Sequence, residues 1–87
     1  MQITYTKKAR KVLAKMDNRV AERIFAKIEA YAANPVAQTN NVRALHGHNG
    51  YRLRVGDYRV IFSVSDDGAV AIMTVMSVGH RKEVYDD

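Results

Sequence analysis

Apolar positions in this chain follow two periods, and the switches between them mark out its elements. Ile3 and Tyr5 alternate with polar neighbours, as in a short strand. From Lys7 the period lengthens. Ala9, Val12, Leu13 and Met16 recur at i, i+3, i+4 and i+7, which predicts a helix over 7–16 with Thr6 as its N-cap. Asp17 is placed to cap a second helix running to about Ala33. Its buried stripe is Val20, Ile24, Ile28 and Tyr31, widened by Ala21 and Phe25, and Asn34-Pro35 stops it. Two helices joined so tightly are expected to form a hairpin over one side of a sheet.

Beyond Pro35 the period is lost. Residues 36–50 read as a polar loop interrupted by Val42 and Leu45, and Gly47-His48-Asn49-Gly50 marks a turn. Alternation returns at 51–55, with Tyr51, Leu53 and Val55 on one face and Arg52 and Arg54 on the other. Gly56-Asp57 is a two-residue hairpin signal. A strand over 58–65 follows, then the turn Asp66-Asp67-Gly68. Residues 69–78 are apolar on both faces, as in a central strand. The order is strand, helix, helix, three-strand meander. It predicts an α+β two-layer sandwich in a single domain over 1–87, with one sheet face left open.

A chain of 87 residues has a small core, so every apolar element has to pack. The absence of cysteine excludes disulfides and thiolate zinc sites and fits a reducing compartment. There is no apolar leader and no stretch of membrane-spanning length, so a cytoplasmic protein without a membrane partner is expected. The net charge of +5 favours anionic partners, although it equally serves solubility. That charge is unevenly placed. Residues 1–50 hold nine Lys and Arg against Asp17, Glu22 and Glu29, whereas residues 51–87 hold five against six acids. In the second half, cation spacing is therefore the informative quantity.

Arg52 and Arg54 share a strand face, and Arg59 joins them if the hairpin register is right; a slip of one residue would send it to the core. Arg81 and Lys82 follow the central strand after Gly79. Guanidinium groups bind phosphate through paired hydrogen bonds and keep their charge, so a ring of them suits RNA and the extra charge of a phosphorane. A solvated strand face would show the same alternation. Tyr85 is placed to stack on a base or to exchange a proton, or else to pack with Val84. His80 lies within the basic cluster and is the candidate general base or acid. His46 and His48 lack a third ligand, and no metal or cofactor is expected. Arg19, Arg23 and Lys27 recur at i, i+4 and i+8 on the second helix. They mark either a solvated face or a docking surface for structured RNA such as the ribosome.

Three segments carry a family resemblance: Gly50-Tyr51-Arg52-Leu53-Arg54, Gly56-Asp57-Tyr58-Arg59-Val60-Ile61-Phe62 and Val78-Gly79-His80-Arg81-Lys82-Glu83-Val84-Tyr85. With the element order, they make nearly the whole chain resemble the RelE/ParE toxin superfamily of type II toxin–antitoxin systems. The resemblance implies strand order 1-4-3-2, the first strand lying beside the last. It also implies an antitoxin partner that wraps the toxin. In the RelE branch it implies cleavage of mRNA in the ribosomal A site, by attack of the RNA's own 2′-hydroxyl and without metal. On that reading Arg59 and Arg81 hold the phosphate, Arg52, Arg54 and Lys82 bind RNA, and Tyr85 orients the nucleotide.

The sequence departs from RelE-type relatives in two respects. Arg52 and Arg54 stand where such relatives carry lysines, and arginine does not act as a base, which shifts attention to His80. The chain also ends on Asp86-Asp87 in place of a basic or helical tail. The ParE branch, which poisons DNA gyrase, and a non-catalytic RNA-binding relative are the rival readings.

Overall fold

The computed structural model describes residues 1–82 other than His46, His48 and Asp67. In chain order the elements are β1 (Gln2–Tyr5), α1 (Lys7–Lys15), α2 (Asn18–Ala33), a 3-10 helix (Pro35–Asn41), β2 (Val42–Ala44), β3 (Tyr51–Val55), β4 (Tyr58–Asp66) and β5 (Ala71–His80). The five strands form one sheet in the order β1-β5-β4-β3-β2, with β1 parallel to β5 and the other pairs antiparallel. The four strands expected from the sequence take the expected order, with the first beside the last.

Two features correct the sequence reading. The segment over 36–50 is not all loop. Pro35 opens the 3-10 helix, where a missing N–H costs nothing. The chain then adds β2 to the free edge of β3 through Val42↔Leu53, Arg43↔Arg52 and Ala44↔Tyr51. Three residues are too few to display a period of two. Phe25 is also not part of the buried stripe. It lies one position round the helix from Ile24, is 36% exposed, and meets Tyr5 edge-on at 5.7 Å.

Both helices cover the same sheet face. Ala9 and Leu13 of α1 and Ile24, Ile28 and Ala32 of α2 close over Leu53, Val55, Val60, Phe62, Met73, Val75 and Val78. Phe62 is fully buried, with Tyr31 and Tyr51 against it at 5.1 and 5.5 Å. Between the pairs Ile61↔Ser77 and Phe62↔Val75, β5 holds Met76 as an extra residue. That bulge lets Val75 and Val78, three apart, both face the core. Thr6 ties the bulge to α1. Its hydroxyl donates to the Met76 carbonyl at 2.8 Å and accepts from the Ala9 N–H at 3.1 Å, so one side chain serves as helix cap and sheet anchor. Asp17 caps α2 by accepting from the Arg19 N–H at 2.9 Å. Among the described residues, no helix is long and apolar enough to cross a membrane.

Candidate functional site

The register of β3 and β4 decides where the arginines go. Val55 pairs with Tyr58 and closes the hairpin on Gly56-Asp57. Gly56 takes φ +58 while Asp57 stays at negative φ, the sign pattern of a type II′ turn, which wants glycine first. One step back, Arg54 pairs directly with Arg59. Leu53 and Val55 are buried, so Arg52, Arg54 and Arg59 share the face away from the helices. They line a depression of about 180 Å³ with Arg43, Asn40 and Asn41. Gly79, the partner of Arg59 on β5, has no side chain to crowd that face.

The hairpin turn also gathers the groups at the end of the sheet. Arg59 Nη1 donates to the carbonyls of Gly56 at 3.1 Å and Tyr58 at 3.0 Å. The Arg81 N–H donates to the Asp57 carbonyl at 2.7 Å, and Arg81 Nε lies 3.8 Å from Asp57 Oδ1. That ion pair is mostly exposed and contributes little by itself. The backbone bond is what positions Arg81, since it fixes the start of the C-terminal segment against the turn that carries Arg59. From the helix side, Arg23 Nη2 approaches to 3.0 Å of the point where a Cβ on Gly56 would stand.

His80 is not brought into this group. It pairs with Tyr58 across the strands, on the helix-covered face, and the rings meet edge-on at 5.5 Å. Together they line a cleft of about 320 Å³ with Lys8, Val12 and Met16 of α1. His80 Nδ1 accepts the Lys82 N–H at 3.2 Å, which leaves the exchangeable proton of a neutral ring on Nε2. Neighbours in sequence, His80 and Gly79 fall on opposite faces because strand side chains alternate. Lys82 is exposed just past β5, and Arg19 and Arg23 are exposed on α2 with Lys27 half-buried beside them. Tyr85, the acidic pair Asp86-Asp87, and His46 and His48 lie outside the described residues. Among the described residues, no group of His, Asp and Glu is arranged to hold a metal ion.

Arg43, Asn40 and Asn41 escaped the sequence reading. Only the pairing of β2 puts Arg43 opposite Arg52, and the sole trace in the sequence was the apolar Val42 beside a cation.

A small sheet with two helices on one face is the architecture of the RelE/ParE toxin superfamily. In fold the chain is similar to the YoeB/ParE toxin from Agrobacterium tumefaciens, at 20% identity and TM-score 0.75, covering 92% of this chain and 98% of that one. It is similar to a chain of the RelB–RelE antitoxin–toxin complex from Methanococcus jannaschii, at 28% identity and TM-score 0.67, with 94% of each covered. A chain of the intact E. coli RelBE complex gives 26% identity and TM-score 0.70, with 91% of this chain and 94% of that one covered. No curated protein matches in sequence. Residues 3–85 match the ParE toxins of type II toxin–antitoxin systems (parDE), and the chain belongs to that family.

Proposed function

We propose that this toxin is an endoribonuclease that inhibits translation by cutting mRNA, in the ribosomal A site, and that a cognate antitoxin protein restrains it. The observation that carries the reading is the convergence of Arg52, Arg54 and Arg59 on the open sheet face, with Arg81 pinned over the same hairpin. A cluster of guanidinium groups is suited to a phosphodiester backbone, and that favours the nuclease over the gyrase-directed reading. The structures of similar chains from M. jannaschii and E. coli are toxin–antitoxin complexes, which supports the antitoxin partner.

The chemistry follows from the side chains present. The substrate's 2′-oxygen forms a bond to the adjacent phosphorus as the bond to the 5′-oxygen breaks. The proton of the 2′-hydroxyl is lost, the departing 5′-oxygen gains one, and a cyclic phosphate is left behind. Charge builds on the non-bridging oxygens during this step. Permanently charged guanidinium groups held by a rigid hairpin stabilise that charge without reorganising. Arg52 and Arg54 bind and bend the backbone, while Arg59 and Arg81 hold the reacting phosphate. Tyr85 supplies the stacking or proton-exchanging group at the family's terminal tyrosine position. Since His80 faces α1, this reading assigns rate enhancement to electrostatics rather than to an imidazole base. No metal or cofactor enters the scheme.

The gyrase-directed reading has one observation in its favour: the matching family is described by its ParE members. Primer extension on a defined mRNA in a reconstituted translation system separates the two. Discrete cuts at A-site codons, absent without ribosomes and reduced by about two orders of magnitude in Arg59→Ala, support the nuclease. An intact message together with loss of gyrase supercoiling activity would transfer the protein to the other branch.

A further inference from the structure

We infer that Leu45, Ile61 and Met76 form an apolar platform for one nucleobase of the mRNA, beside the arginines, and so help to set which codons are cut. This rests on the nuclease reading above.

An antiparallel sheet with helices on one face ordinarily turns polar residues to the other. Here that pattern breaks at one place. Val75 and Val78 both face the core, so Met76 and Ser77 between them fall on the open side. Ile61 pairs with Ser77 and stands between the buried Val60 and Phe62, which puts it on the same side. Tyr51 stacks on the buried Phe62, so Gly50, like Arg52, is at an open-face position. Over Gly50, Met76 Cε and Leu45 Cδ1 lie 3.6 and 3.3 Å from the point where a Cβ would stand. Met76 therefore crosses β4 to meet Leu45, and a side chain at position 50 would lift both. Leu45, Ile61 and Met76 are each half-buried, and none of them is among the described side chains packed against the core.

The place and size of this patch select its occupant. Ile61 is directly opposite Arg52, so the apolar surface begins where the guanidinium face ends. A nucleotide has the matching order, an anionic phosphate joined through a sugar to a flat ring. On the far side Ser63 pairs with Thr74, and Thr74 with Thr4, a row of hydroxyl residues that closes the patch. Three side chains make a base-sized surface, whereas a docking helix needs an apolar groove about two turns long. Unstacked RNA bases are read singly, and they pack on apolar as well as aromatic side chains. The polarizable thioether of methionine is suited to an aromatic ring. Bulges recur beside active sites, where they re-aim a side chain, and the side chain re-aimed here is Met76.

The test is cleavage on the ribosome, using mRNAs that differ in single nucleotides of the A-site codon. Wild type, Met76→Gln, Met76→Leu and Ile61→Thr are compared by kcat and KM, with thermal unfolding to show that each is folded. Purines stack more strongly than pyrimidines, so at one codon position the wild type cuts faster with a purine. In Met76→Gln and Ile61→Thr, kcat/KM falls by about tenfold, the loss of one base contact, and the purine preference shrinks. Met76→Leu retains both. A wild type without a purine preference, or variants that lose rate while keeping that preference, would overturn the platform and leave the nuclease reading standing. Variants that cut like the wild type yet escape the cognate antitoxin added to the same assay would also overturn it, and would give the patch to that protein. A wild type that cuts no message on the ribosome overturns the nuclease reading, and the platform with it.

Discussion

At the residue scale, Gly56 carries more of the site than its size suggests. Its φ of +58 permits the turn, its carbonyl accepts from Arg59, and Arg23 packs where a side chain would be. Gly56→Ala is expected to destabilise by about 1–2 kcal/mol, from the left-handed conformation alone. It should also displace Arg59 and Arg81, so that, on the proposed nuclease reading, RNA cleavage falls by more than the stability loss explains. A urea titration beside the cleavage assay measures both effects. His80 makes the opposite case. A general base contributes at least about 10²-fold. Because His80 lies against Tyr58 and α1, His80→Gln is expected to cut cleavage by less than that, and by much less than Arg59→Ala. A loss matching that of Arg59→Ala would return His80 to the reaction centre.

At the element scale, the junction of β1, α1 and β5 depends on one hydroxyl. Thr6 caps α1 and holds the carbonyl of the bulged Met76. Thr6→Ala is expected to cost about 1–2 kcal/mol, from the lost cap and an unsatisfied carbonyl, and Thr6→Ser to recover most of it. Thermal unfolding of the two variants checks this; equal losses in both would mean that the methyl group, not the hydroxyl, matters. The elements themselves were largely legible. Thr6 and Asp17 announced both helix starts, Asn34-Pro35 announced the stop, and the alternation from Tyr51 announced β3. The short strand β2 was not legible, because its existence depends on the vacant edge of β3 and not on its own composition.

At the scale of the whole molecule, the aromatic rim of the core links stability to pH. Tyr5 and Tyr31 both titrate above the ordinary tyrosine value of 10.0. Burial is the main cause for each, with Glu29 adding to it at Tyr5 and Tyr51 at Tyr31. The folded state therefore holds these protons more tightly than the unfolded chain does. Their contribution is fully present below pH 10 and is lost as pH rises through the raised values. Urea midpoints are expected to fall as pH climbs above about 10. The decline should be shallower in Tyr5→Phe and Tyr31→Phe; parallel curves for wild type and variants would assign the alkaline loss to other groups.

Local chemistry was enough to read the α+β order, the helix caps, the hairpin at Gly56-Asp57 and the arginine face of β3, because each depends on residues a few positions apart. The superfamily was legible as well, through segments that combine those local features. Distances between remote segments were not. Whether Arg59 faced the open side of the sheet or the core turned on a register of one residue, which the closed turn and the burial of Val60 and Phe62 decided. His80 looked like part of the cationic cluster because it is adjacent to Arg81 in the chain, yet strand alternation put it on the other side of the sheet. Arg43 fell unnoticed within the segment read as a loop, and only the pairing of β2 set it opposite Arg52. In each case the sequence specified the charge. Only the packed sheet, with one face committed to the helices, decided which charges meet.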